Sequence, residues 1–456
     1  MSWLDQATSV FTHHENKRKR MKVTLISHAS VLIETPDCTI WTDPWLFGKA
    51  FMDSWSLLIK AHWDETWYDQ VDYVWISHEH PDHFHIPTLK SMPQSFKSRV
   101  TLLFQQNNSD KIPNFLRELG FKNIKLLKHR EFFPLQGETS VYIYQVGAVP
   151  DSALAVMAEN YTLLNINDCE VNTNDCKKLV KDLRKINLVL NQFSAAAYRG
   201  HIDYKTYLQK QADLVLENLI RNHLDLNADY TIPIASFIYF SDEDNRYVNE
   251  FANTPLDVVN IFNQHALNSA VLYPGDTFDS EIIYDSEPAL LKYKQIYENL
   301  EYLEYRKPKI VSLEQIKEAH QNKALQLKEK YPKWLLKKLK PLRVWLPDLN
   351  QTVQICLLNG RFKVIEGDFD LKMNSEALYY ALSTAWGVST ISVAAKYLIK
   401  YKQDVWRWYK IINTLNNAEF YLKLQYLFTK KNYQFIISRL NGGFNQLRHR
   451  WKIMNV

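Results

Sequence analysis

Cysteine is sparse in this chain: Cys38, Cys169, Cys176 and Cys356 are the four among 456 residues. They form no C-x-x-C pair and no regular framework, which fits a reducing, cytoplasmic setting better than a disulfide-stapled one. Glycine is thin as well, at 11 residues, whereas Tyr, Trp and Phe number 26, 13 and 22, so a largely aromatic core is expected. A strong excess of one charge is also missing. The formal charge is only +5 and its Lys and Arg are spread over many segments, so nucleic-acid binding is not implied. No apolar run has the character of a membrane span. Residues 377–395 are uncharged but carry Ser383, Thr384, Gly387, Ser389, Thr390 and Ser392, whereas a spanning helix wants about 20 predominantly apolar residues. That stretch reads as buried helix or strand, and no integral membrane segment is expected. The first 16 residues are mixed, and Lys17, Arg18, Lys19 and Arg20 follow them instead of leading an apolar h-region. Residues 1–20 are therefore read as a helical, basic segment.

What is present is ordinary for a globular protein, with 46% hydrophobic and 23% charged residues. The length suits a full core plus an appended region, since single domains usually hold about 100–200 residues. From Val23 the chain turns to short β-rich runs, Val23 to Ile26, Val31 to Ile33 and Thr39 to Trp41, which read as a meander. Tyr73 to Ile76 is a nearly continuous apolar strand. Further along, strands are expected at 141–146, 161–166, 188–190, 230–240 and 270–273, with helices at 112–119, 172–186 and 204–223. This interleaving indicates an α/β layered domain over residues 21–285. The remainder, 286–456, is read as mainly helical, opening with a charged helical stretch over 287–340. The basic amphipathic part of that stretch is expected to pack Trp334, Leu335 and Leu339 on the core, or else to touch an anionic surface.

The chemistry concentrates directly after the apolar strand, in His78-Glu79-His80-Pro81-Asp82-His83. Three imidazoles and two carboxylates within six residues are natural ligands for zinc or iron at neutral pH. In a tight loop the alternation lets His78 and His80 face one ion while Asp82 and His83 face a second. Thr42-Asp43-Pro44 ends another strand, where Asp43 either orients a ligand imidazole or simply makes a turn. His85 and His28 are further candidates for metal or substrate contact, with packing as the plainer role. Arg199 and His201, after the Gln192-Phe193-Ser194 strand end, either reach the pocket to bind an anionic substrate group or lie in an exposed turn. Glu79, between two ligands, is expected to face solvent.

The segment Ile76-Ser77-His78-Glu79-His80-Pro81-Asp82-His83 is similar to the signature of the metallo-β-lactamase superfamily. The resemblance implies an αββα sandwich. It also implies that Asp168, ending the run Leu163 to Cys169, supplies a carboxylate that bridges two ions. Pro87-Thr88-Leu89, Gln192 to Ala197, and Pro233 to Phe237 leading to Tyr247 and Asn253-Thr254 resemble the branch of the CMP-N-acetylneuraminate hydroxylases. In that branch a Rieske domain is joined to this fold. No Cys/His pairs for such a cluster occur in this chain, so the resemblance implies a separate electron-transfer protein. Two departures stand out. The position expected to hold a third imidazole falls at Val149, where Asp151 nearby is a candidate oxygen ligand, and the run Ile232 to Ala235 offers no last imidazole.

Three functions follow. The first is a zinc or iron hydrolase of a polar or anionic small molecule, with one or two ions on His78, His80, Asp82, His83 and Asp168, and with Asp82 or Asp168 orienting or deprotonating a bound water. The second is a non-haem iron oxygenase with a separate electron donor. The third is a binding or scaffold protein with a degenerate site.

Overall fold

The computed structural model describes residues 21–107, 109–147, 151–195, 200–415, 420–426, 428–429 and 432–433. Two sheets dominate its first part. The larger has seven strands in the order Thr277–Asp279, Lys22–Ser27, Ser30–Glu34, Thr39–Thr42, Tyr73–Ile76, Thr101–Gln105 and Asn123–Leu127. The first four pair antiparallel, as the meander predicts, and Thr39–Thr42 then begins a parallel run. The second sheet has six strands in the order Tyr230–Ile234, Leu188–Gln192, Tyr161–Asn167, Asp151–Ala158, Ser140–Val146 and Phe132–Pro134.

Side chains alternate across a strand, and here both faces of each sheet are covered. Val23, Leu25, Val31, Ile40 and Trp75 meet Val141, Ile143, Leu154, Leu163 and Leu190 between the sheets. Ile26, Trp41, Val74, Ile76 and Leu102 face the other way, onto Leu89, Phe96 and Leu116 of the flanking helices. On the far side of the second sheet, Tyr142, Leu164, Ile166 and Val189 pack on Cys176, Leu179, Leu183 and Leu226. The order is helices, sheet, sheet, helices, which is the αββα sandwich that the motif implies. The four cysteines are free and buried.

Some local expectations need correction. The expected strand over 230–240 is two strands, Tyr230–Ile234 and Ile238–Phe240, which belong to different sheets. Ala235, between them, adopts φ 54 and turns the chain. Residues 270–273 are not a strand; the edge of the large sheet is Thr277–Asp279 instead. The charged stretch 287–340 is interrupted, giving helices Glu287–Glu298, Leu313–Lys330 and Lys333–Leu336. Leu339 enters the core as expected and Leu335 packs against it partly buried, but Trp334 stands 59% exposed beneath the Lys338 ammonium and Leu336 is buried in its place.

The C-terminal region carries the expected helices, among them Ser375–Ser383, Gly387–Val393 and Lys402–Tyr409, but it also holds a sheet that the sequence reading did not anticipate. Its five strands run in the order Arg361–Ile365, Gln351–Cys356, Leu342–Leu346, Leu371–Met373 and Tyr397–Ile399. The uncharged stretch 377–395 forms two short helices within this unit. Among the described residues no helix is long and apolar enough to cross a membrane.

A buried ion cluster ties this region to the sandwich. Lys396, with its side chain fully enclosed, reaches Asp242 and Asp244, and Arg306 bridges Asp242 at 2.7 Å and Glu376 at 2.9 Å. Removing one partner of such a pair leaves an uncompensated buried charge. Lys396→Met is expected to lower unfolding stability by about 3 kcal/mol or more, read by denaturant titration. Lys185→Ala, which breaks the half-exposed pair with Asp229, should cost less than about 1 kcal/mol.

Candidate metal centre

The first ligands sit where a buried strand runs out. Val74, Trp75 and Ile76 are enclosed, and the chain leaves the sheet at Ser77. The amides of His83 and Phe84 both donate back to the His80 carbonyl, at 3.0 and 2.7 Å. That tight turn sends the side chains of His78, His80, Asp82 and His83 to one side. Asp43 and Asp168 arrive from the ends of Thr39–Thr42 and Tyr161–Asn167, and His28 from the turn between the first two strands. All converge on one rim of the sandwich.

Six of these side chains form two groups, each with its donor atoms within 4.8 Å of one another. In one, His78 Nε2 lies 2.8 Å from His80 Nδ1 and 3.5 Å from Asp168 Oδ2. In the other, Asp82 Oδ2 lies 3.2 Å from His28 Nε2 and 3.4 Å from His83 Nε2. The groups touch, because His83 Nε2 is 3.6 Å from Asp168 Oδ2. The split of His78 and His80 from Asp82 and His83 matches the alternation seen in the motif.

The donor set fits a cation. His83 Nε2, Asp82 Oδ1 and Asp168 Oδ1 are buried with no hydrogen-bond partner among the described residues. Buried polar atoms are rarely left so, and imidazole nitrogens and carboxylate oxygens facing one another are what zinc or iron would satisfy. The electrostatics agree. Burial pulls His83 down, but Asp168, Asp82 and Asp43 together outweigh it and raise its pKa to about 10. Burial pushes Asp82 up, yet His83, His28 and His80 hold it well below the carboxylate range. His28 and His78 are both lowered, chiefly by burial.

Behind His83 stands Asp43, fully buried. It accepts from the Ser77 amide at 2.8 Å, the Ser77 hydroxyl at 2.8 Å, His83 Nδ1 at 2.8 Å and Asn167 Nδ2 at 3.1 Å. With Nδ1 engaged there, His83 turns Nε2 toward the centre. The sequence reading did not assign Asn167 or the Ser77 hydroxyl. Asn167 has φ 55, and the signal for it was an Asn, tolerant of left-handed backbone, at a strand end one residue before Asp168.

Other candidates lie outside both groups. His85 is a packing residue: its Nδ1 accepts from the Thr88 amide at the start of helix Ile86–Ser91, its ring stacks on Trp45, and burial lowers its pKa to about 4. His201 bridges to Ile399 of the C-terminal sheet and accepts from the Asp203 amide at 3.2 Å. Asp151 begins its strand close enough to sense the centre; burial, then Asp168, raise its pKa to about 7. It joins neither group. Glu79 is exposed, as expected. Arg199, Val149 and the basic segment 1–20 lie outside the described residues.

Residues 22–152 match the family model described as a beta-lactamase superfamily domain. The cytidine monophosphate-N-acetylneuraminic acid hydroxylase of Asterias rubens is 28% identical over 156 residues, 33% of this chain and 23% of its own. The Homo sapiens relative, described as an inactive form of that hydroxylase, is 24% identical over 282 residues, covering 57% of this chain and 54% of its own. A Mycobacterium tuberculosis protein described as a Rieske 2Fe-2S iron-sulfur protein is 33% identical over 158 residues, 32% of this chain and 30% of its own. The chain thus spans about half or less of the length of these relatives. With the αββα layering, residues 22–152, which carry the His loop, match a beta-lactamase superfamily domain, and the chain is similar to the cytidine monophosphate-N-acetylneuraminic acid hydroxylases.

Proposed function

We propose that this chain is a two-iron hydroxylase of a polar or anionic small molecule that takes its electrons from a separate protein. The observation that carries the reading is the make-up of the centre: each group offers two imidazoles and one carboxylate, the donor set of non-haem iron oxygenases. The sequence alone puts hydrolysis first; relatives named as hydroxylases, the Mus musculus one matching over 57% of this chain, move oxygenation ahead of it. The reaction balances as a substrate C–H bond, dioxygen, two electrons and two protons giving C–OH and water. The free cysteines suit a reducing, cytoplasmic setting for it.

In this reading His78, His80 and Asp168 hold one ion, and His28, Asp82 and His83 the other. Bound iron would supply the activation of dioxygen. Asp43 keeps His83 in the tautomer that exposes Nε2, and Asp168 ties the two positions together through its contacts at 3.5 and 3.6 Å. His80 is open to solvent and forms the substrate-facing side of the centre.

Hydrolysis remains the second reading, favoured by that same contact of Asp168 with both groups. Zinc would lower a bound water to a pKa of about 7, and Asp168 or Asp82 would orient it or take its proton.

Elemental analysis separates the readings. Protein purified from metal-replete cells should contain iron, lose metal on His80→Ala, and consume oxygen when given a reductant. Zinc with no oxygen uptake would favour hydrolysis, and an empty protein a binding or scaffold role. Unchanged metal content in His80→Ala would remove the loop as the site. Asp43→Ala should weaken metal affinity about 10–100-fold, because ligating imidazoles depend on such partners; a metal titration reads this directly. The pH dependence has a definite sign. Without metal, His83 holds its proton at neutral pH because its pKa is raised to about 10. An ion must displace that proton, so affinity at this position should rise about tenfold per pH unit between pH 6 and 8, measured by calorimetry in two buffers of different ionisation enthalpy.

A further inference from the structure

A cavity of about 750 Å³ opens between helix Leu313–Lys330, helix Ser375–Ser383 and the start of helix Lys111–Glu118. Small-molecule sites usually enclose about 300–1,000 Å³. Three lysines line it, Lys111, Lys323 and Lys330, against a single carboxylate, Glu318. None of these residues belongs to either ligand group of the metal centre.

Lys323 is the most telling of them. It is only 5% exposed, its ammonium donates to the Thr384 carbonyl at 3.2 Å, and no carboxylate pairs with it among the described residues. A buried ammonium without a counter-charge is costly, and ordinarily such a group is paired. Burial lowers its pKa, and the Lys330 charge lowers it further. Lys330 in turn stands 4.7 Å from the centre of the Tyr421 ring. The wall thus gathers like charges toward one space. The exposed Trp386 indole at the rim adds an apolar surface.

We propose that this cavity binds a phosphorylated small molecule, whose phosphate is held by the Lys323, Lys330 and Lys111 ammonium groups. A phosphate dianion supplies the missing counter-charge and accepts charge-assisted hydrogen bonds from several ammonium groups at once. The opposing Glu318 keeps the lining selective for a group able to engage at least two lysines. None of the lining residues is a candidate metal ligand, although Lys111 also acts on Glu79 of the His loop, so the site is tested apart from the hydroxylase reading.

The test uses the full chain with inorganic phosphate and pyrophosphate as probes, followed by calorimetry and thermal unfolding at fixed ionic strength. The wild-type protein and the His80→Ala variant should bind pyrophosphate alike, because the metal centre takes no part. Lys323→Met, which keeps length and apolar bulk, should bind it about tenfold more weakly or worse and should itself be no less stable without ligand, since an unpaired buried charge is removed. Should that variant fail to fold, Lys330→Met carries the same expectation. The proposal is overturned if pyrophosphate does not bind the wild-type chain, if an equal ionic strength of sodium chloride reproduces the shift, or if binding survives both lysine substitutions. Loss of binding in His80→Ala would overturn it as well, by assigning the phosphate to the metal centre.

Discussion

The geometry of the centre depends on one buried carboxylate. Asp43 carries no metal-facing role of its own, yet its two oxygens accept from Ser77, His83 and Asn167, which come from two other strand ends. A carboxylate in so enclosed a position must be satisfied by donors. Satisfying it fixes how the ends of Thr39–Thr42, Tyr73–Ile76 and Tyr161–Asn167 sit relative to one another. The last of these belongs to the second sheet, so the contact with Asn167 spans the sandwich at its rim. Ser152 reinforces it by donating its hydroxyl to the Ser77 carbonyl at 2.6 Å.

The layering below the rim makes that arrangement rigid. Because both sheets are covered on both faces, a register slip of one residue would exchange every inward side chain with an outward one. The candidate ligands inherit this fixity, since His28, His78 and Asp168 lie within two residues of a strand end and His80, Asp82 and His83 sit in the tight turn that follows Tyr73–Ile76. The C-terminal region is attached by the buried charges and by an apolar cluster in which Ala394 and Ala395 pack with Trp45, Phe51, Trp55 and Phe240. Asn245 adds to the ion cluster there, donating to the carbonyls of both Ser54 and Ala394 at 3.2 and 2.9 Å. The neighbouring segment brings Phe51 to within 6.3 Å of the His80 ring, so the two regions meet close to the centre.

Much of this was legible in the residues. The His loop carries the resemblance to the superfamily and the division of its side chains into two groups, because spacing in a tight turn dictates which side chains share a direction. The apolar run Tyr73–Ile76 gave the strand that delivers them. His85 and His28 look alike in sequence, each a single imidazole beside small or apolar residues; only the path of the chain separates the one that caps a helix from the one that joins Asp82. The strand pairs of the C-terminal sheet were written in plain alternation, as in Leu342–Leu346, where Arg343 and Trp345 point outward, and in the Asn359-Gly360 turn that follows Gln351–Cys356. Their mixed charge masked the period. The division of 230–240 into two sheets was not legible, since Ala235 is not a residue that announces left-handed backbone.

His28 lies in a turn near residue 30, Asp82 and His83 follow more than fifty residues later, and Asp168 lies beyond residue 160, while the His28 carbonyl is itself held by the Ala235 amide at 2.7 Å. An ion gripping these groups would act as a staple across the whole α/β sandwich, closing loops that the unfolded chain leaves open. Much of its contribution would then come from the entropy denied to the denatured ensemble. Loading the centre and locking the tertiary structure would be one event.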